Sequence, residues 1–202
     1  MNTRWKLAAV LSCVSFSALL GSRASLADAP SPSPSPGEPG VWQKHEYSFT
    51  FLGFTSTYSC DGLADKLRVL LIASGARPDA KARAGACASG FGRPDKFARA
   101  DLAFYTLAPW LTATAAGAPP VNGIWQQVSL ADRSPRELST GDCELVDQFR
   151  TAVLPMFTTQ NIDNHTTCVP HQLSGSVINL KFKSFTAPPS RPRTAQAQQS
   201  GS

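Results

Sequence analysis

Apolar and polar positions alternate from His45 to Leu52, with Tyr47, Phe49 and Phe51 on one side and Ser48 and Thr50 on the other, the pattern of a half-buried strand. The period then changes. Ser59 can cap a helix, Asp61 lies in its first turn where the helix dipole favours negative charge, and Leu63, Leu67, Leu70 and Leu71 form one apolar stripe that Gly75 and Pro78 bring to an end. Alternation resumes from Ala80 to Ala88. It returns from Phe97 to Leu107, where Ala98, Ala100, Leu102 and Phe104 share a face.

The same succession recurs downstream. Gln126 to Leu130 reads as a short strand, Asp142 as a helix cap, and Val146, Phe149 and Val153 as a helical stripe that Pro155 interrupts. Thr159 to Cys168 is a polar strand. Ser176 to Ser184 alternates cleanly, with Ile178, Leu180 and Phe182 inward and Asn179, Lys181 and Lys183 outward.

Residue spacing ties the two successions together. Gly40-Val41-Trp42-Gln43 is matched by Gly123-Ile124-Trp125-Gln126, and each Trp stands eighteen positions before a cysteine, Cys60 or Cys143. A second cysteine follows in each, Cys87 or Cys168. A fixed period of this kind is the mark of internal duplication. One unit of about sixty-five residues with a single apolar helix face buries too little to stand alone. The expected fold is therefore α+β: two duplicated β-α-β-β units packed with pseudo-twofold symmetry into one domain, mainly antiparallel sheet with helices on one face. The first unit spans 41–107, a linker 108–122 and the second unit 123–186.

A right-handed crossover brings the start of each helix and the end of the next parallel strand to one edge, which pairs Cys60 with Cys87 and Cys143 with Cys168. One detail resists: in the alternation from Ala80 to Ala88, Cys87 falls on the face of Lys81 and Arg83 instead of the alanine face. Either Gly85 marks a bulge or the strand has ended by then.

The ends of the chain set its expected location. Arg4 and Lys6 precede a mostly apolar run, Leu7 to Leu20, and a small-residue cleavage site at Ser25-Leu26-Ala27, so 1–27 reads as a secretory signal and the protein as periplasmic or secreted. No stretch approaches the twenty or so apolar residues that span a bilayer. A rival reading acylates Cys13 as a lipid anchor, but it would leave Val14 to Leu20 as an exposed apolar stalk. Residues 28–40 form a Pro/Ser-rich spacer, and 187–202 a disordered tail.

The formal charge of +5 suggests an anionic partner until it is partitioned. Between Gly40 and Ala187 there are fourteen Lys and Arg against twelve Asp and Glu, a net of +2. With no basic run there, nucleic-acid binding loses its physical support.

Candidate chemistry is sparse. His165, Cys168 and His171 have metal-like spacing, but a strand would point Cys168 away from both histidines and the cysteine is committed to a disulfide. Neither Cys-x-x-Cys nor Gly-x-Ser-x-Gly occurs, and His45 is replaced by Val128 in the second unit. Asp65 with Arg68 and Asp147 with Arg150 read as surface ion pairs on helices, and Asn164-His165-Thr166 is a glycosylation sequon. Trp42 and Trp125 either close the end of the core or form a ligand platform. No catalytic residue, metal or cofactor is expected. The function expected is non-catalytic binding or cell-envelope association, with an unidentified protein or small molecule as partner. The alternatives are a small extracytoplasmic hydrolase using His45 or His171, and a secreted inhibitor presenting the 108–122 loop.

Overall fold

The alternating and helical patterns become eight elements in the computed structural model, which describes residues 37–87, 93–112 and 119–189. They are β1 (Glu38–Thr50), α1 (Cys60–Ala73), β2 (Lys81–Ala84), β3 (Arg99–Pro109), β4 (Val121–Ala131), α2 (Cys143–Ala152), β5 (Thr159–Asn164) and β6 (Asn179–Thr186). The signal segment, Cys13, most of the spacer and most of the tail lie outside the described residues. β1 begins at Glu38, within the stretch expected as spacer, because Glu38–Gly40 find partners in β4.

The six strands form one antiparallel sheet in the order β2-β3-β1-β4-β6-β5. β1 pairs with β3 over eleven positions, from Gly40 with Pro109 to Thr50 with Arg99. By contrast, the central ladder between β1 and β4 is short: Glu38 with Gly123, Pro39 with Asn122, and Gly40 with Val121. Both helices pack on one side. Leu63, Leu67, Leu70 and Leu71 of α1 and Val146 and Phe149 of α2 share one core with Phe49, Leu102, Phe104, Leu130, Leu180 and Phe182 of the sheet. The expected inward set of β6 is buried throughout.

Local chemistry explains the helix ends. Ser59 Oγ accepts the Gly62 amide and so caps α1, while Gly75, at φ +100°, provides the left-handed turn that stops it. Asp142 occupies the N-cap position of α2, as the sequence suggests, but its side chain bonds none of the helix amides. Its carboxylate turns back to Ser139, accepting that residue's amide (2.7 Å) and hydroxyl (2.9 Å) ahead of the helix.

Cys60 is bonded to Cys87 and Cys143 to Cys168, with Cα atoms 6.2 and 5.7 Å apart. The awkward face of Cys87 is resolved by the second option, since β2 stops at Ala84 and Cys87 leaves the pleat. It packs against the same core as Cys168. Among the described residues no helix is long and apolar enough to cross a membrane.

On the side of the sheet away from the helices, Leu107 and Phe185 are fully buried. They lean over the central ladder, where Gly40 and Gly123 leave room. A Cβ on Gly40 would stand 2.8 Å from Phe185 and 2.9 Å from Leu107.

Candidate functional site

The most constrained surface feature is the loop between β1 and α1. Beyond Thr50 the β1/β3 ladder continues, with the Phe51 amide donating to Ala98 O and the Gly53 amide to Lys96 O, both at 2.8 Å, so Leu52 lies opposite Phe97. The chain then leaves the sheet and is held by α2. Glu144 sits in the first turn of α2, and its carboxylate accepts the amides of Phe54 (3.1 Å), Thr55 (3.0 Å) and Ser56 (3.3 Å). Gln148, one turn on and therefore on the same helix face, accepts the Leu52 amide at 3.0 Å and donates to the Leu52 carbonyl at 2.9 Å. Every amide from Leu52 to Ser56 thus has a partner.

The second half of the chain grips the loop elsewhere too. Thr55 Oγ1 accepts the His171 amide at 2.8 Å, and the Ser56 hydroxyl donates to Gly141 O. With its backbone fixed, the loop leaves its side chains outside: Leu52 is 49% exposed, Phe54 64% and Phe97 60%. Leu173, also exposed, lies near Gly141, and the His171 ring lies edge-on to Phe54 at 6.4 Å.

Below this loop is a buried polar junction between the halves. Asp142, 3% exposed, accepts the Tyr58 hydroxyl at 2.5 Å and Lys66 Nζ at 2.7 Å. Lys66 also donates to the Glu137 carbonyl. Burial alone would raise the Asp142 pKa, but the bonds from Lys66, Tyr58 and Ser139 outweigh it and hold the group below its ordinary value. Burial, followed by the hydrogen bond to Asp142, pushes the Tyr58 phenol well up.

The residues singled out from sequence are distributed differently. Trp42 and Trp125 are both half-buried on the helix-free face, cross-strand partners of Leu107 and Phe185 respectively. The Trp125 and Phe185 rings are 5.3 Å apart, while the Arg77 guanidinium lies over Tyr105 at 3.7 Å and over Trp42 at 5.7 Å. Further along β1 an open trough of about 530 Å³ is lined by Lys44, Glu46, Ser48, Lys81, Arg83 and Asp101 among others.

His45 faces the helix side. Its Nε2 is 2.8 Å from Thr106 Oγ1, and that hydroxyl donates to Met156 O, so Nε2 carries the proton. The ring stacks on Phe104, and burial lowers its pKa. His165 forms a surface pair with Asp163 at 2.8 Å, so the metal-like spacing does not converge. Among the described residues no three His, Cys, Asp or Glu side chains gather as metal ligands. Arg150 pairs with Asp147 at 3.0 Å, whereas Arg68 donates to the Ala80 carbonyl.

The loop and its clamp were not foreseen from sequence. The one available signal is that Phe51 and Leu52 are adjacent apolar residues followed by Phe54, which breaks the strand's alternation. No family model, curated protein or solved structure matches the chain.

Proposed function

We propose that this is an extracytoplasmic, non-catalytic binding protein that engages the cell envelope through the clamped loop at Leu52–Ser56, and that its fold arose by duplication of a β-α-β-β unit. The observation that carries the binding reading is the fixed backbone beneath exposed Leu52 and Phe54. Large exposed apolar side chains mark contact surfaces, and a surface already ordered loses little entropy on binding. Two disulfides suit an oxidising compartment.

Register supports the duplication. Gly40 and Gly123 lie 83 positions apart, and the same displacement carries the pair Gly40–Val121 onto Gly123–Glu38, so the central ladder maps onto itself about the pair Pro39–Asn122. Trp42 with Leu107 is answered by Trp125 with Phe185. The Gly85 amide bonded to Arg99 O is answered by Thr167 bonded to Val177 O.

A second reading has support on the helix-free face, where half-exposed Trp42 stands two residues before Lys44, which lines the polar trough. Stacking of a saccharide ring on Trp42 there would quench tryptophan emission, and the quenching would be lost in Trp42→Ala.

The experiment for the main reading measures sedimentation of the purified protein with the envelope fraction of its host. Phe54→Ser combined with Phe97→Ser should lower the bound fraction at least about tenfold, the effect of losing two anchor side chains, with circular dichroism unchanged. Ile162→Ser, an exposed apolar change on β5, should leave it intact. Equal binding by both variants refutes the reading.

A further inference from the structure

We infer that the clamped loop docks on an anionic lipid surface, inserting Leu52, Phe54 and Phe97 beneath a collar formed by Arg93, Lys96 and Arg99. This rests on the loop being the binding surface and names what it binds. Phe97 shares its segment with three cations, Arg93, Lys96 and Arg99, all exposed. Apolar side chains backed by basic ones are the combination that holds a protein at a negatively charged bilayer.

The acids that touch the loop face inward. Glu144 spends both oxygens on the amides of residues 54–56, and Asp95 accepts the Phe97 amide at 3.1 Å. These two carboxylates thus turn oxygens toward backbone amides, while Arg93, Lys96 and Arg99 are exposed.

The amides favour lipid over a protein groove. A loop entering the acyl boundary leaves water behind, and each unpaired amide there is costly. From Leu52 to Ser56 each amide is already satisfied, by Gln148, Lys96 or Glu144. A partner protein could supply such bonds itself; a bilayer interior cannot.

The test is flotation of the full chain with phosphatidylcholine vesicles, with and without one-third phosphatidylglycerol. Binding to the anionic vesicles is expected, weakening as salt rises. The partition coefficient should fall about tenfold in Phe54→Ser with Phe97→Ser, and about fivefold in Lys96→Ala, the factor for one basic residue at such a surface. Glu144→Ala, which frees three amides without altering the apolar side chains, should weaken binding as well. Absence of flotation with anionic vesicles at low salt, equal flotation with neutral ones, or binding that survives the double Phe substitution would each overturn the inference. If vesicles fail while envelope binding still depends on Phe54 and Phe97 and is abolished by protease treatment of the envelope, the lipid inference falls and the loop remains the binding surface for a protein.

Discussion

Asp142→Ala is expected to be among the most damaging single changes. The carboxylate is buried and accepts from Tyr58, from Lys66 and twice from Ser139. Removing it strands the Tyr58 hydroxyl and the Ser139 amide, at about 1–3 kcal/mol for each buried group left unpaired. Lys66 loses its countercharge, but its side chain is 27% exposed and keeps the Glu137 carbonyl, so much of its cost is recovered by water. The sum is about 3 kcal/mol, near the lower end for breaking a buried charge pair. In urea the midpoint should fall with an unchanged m-value, and the melting temperature by about 6–12 °C for a domain of this size. Tyr58→Phe should cost about 1 kcal/mol, the net value of one hydrogen bond, and its effect should largely vanish in the Asp142→Ala background. A loss below about 1 kcal/mol for Asp142→Ala, or additivity of the two changes, would refute the reasoning. The pH dependence has a fixed sign: the folded pKa is depressed, so the contribution is complete above the ordinary aspartate value of 3.8 and disappears as pH falls through the lower folded value.

His45 gives a pH effect in a different window. Burial lowers its folded pKa below the ordinary 6.5, so the unfolded chain binds more protons just below that pH and stability should decline on acidification from neutrality. His45→Val, which installs the residue found at position 128, should flatten urea-unfolding midpoints between about pH 7 and 5, the range in which histidine titrates. Replacing both Cys60 and Cys87 by Ser opens a bridge of separation 27 and should lower unfolding free energy by about 3–4 kcal/mol in the loop-closure relation, read by denaturant titration. Gly123→Ala should cost about 1–3 kcal/mol through overpacking against Phe185 and Leu107, read by the same denaturant titration.

The elements with strong periodicity were legible because one force shaped them. Leu63, Leu67, Leu70 and Leu71 mark α1, and Ile178, Leu180 and Phe182 mark β6, since burial of one face decides both. The spacing of Trp and Cys led to the pairing of all four described cysteines. The start of β1 was misplaced, because Pro39 reads as linker and only pairing with Asn122 makes it a strand. The side-chain partners of Asp142 are hidden for the same reason: Tyr58 and Lys66 are 84 and 76 residues away. The Glu144 clamp spans a similar distance, and a glutamate in a first helical turn is explained by the dipole alone, which masks any second use.

On the proposed duplication, the two halves differ where binding is proposed and agree where the core is packed. Displacements that match Trp42 to Trp125 and Leu107 to Phe185 send Leu52 to Pro135, Phe54 to Glu137 and Phe97 to Gly175. The apolar loop therefore has no counterpart in the second half, where the corresponding turn carries Asp132, Arg133, Arg136 and Glu137. Packing explains why Gly40, Gly123 and the cysteines appear twice, since each half needs its own staple and the shared ladder needs room for both large side chains. It does not explain Leu52, Phe54 and Phe97, which bury little and cost solubility. The backbone of Leu52 and Phe54 is instead held by side chains from the other half, Gln148 and Glu144, so in the proposed binding the first half would supply the contact surface and the second its rigidity. A loop held in this way needs both halves of the chain, which on the proposed duplication would give the doubling a physical reason beyond completion of a core.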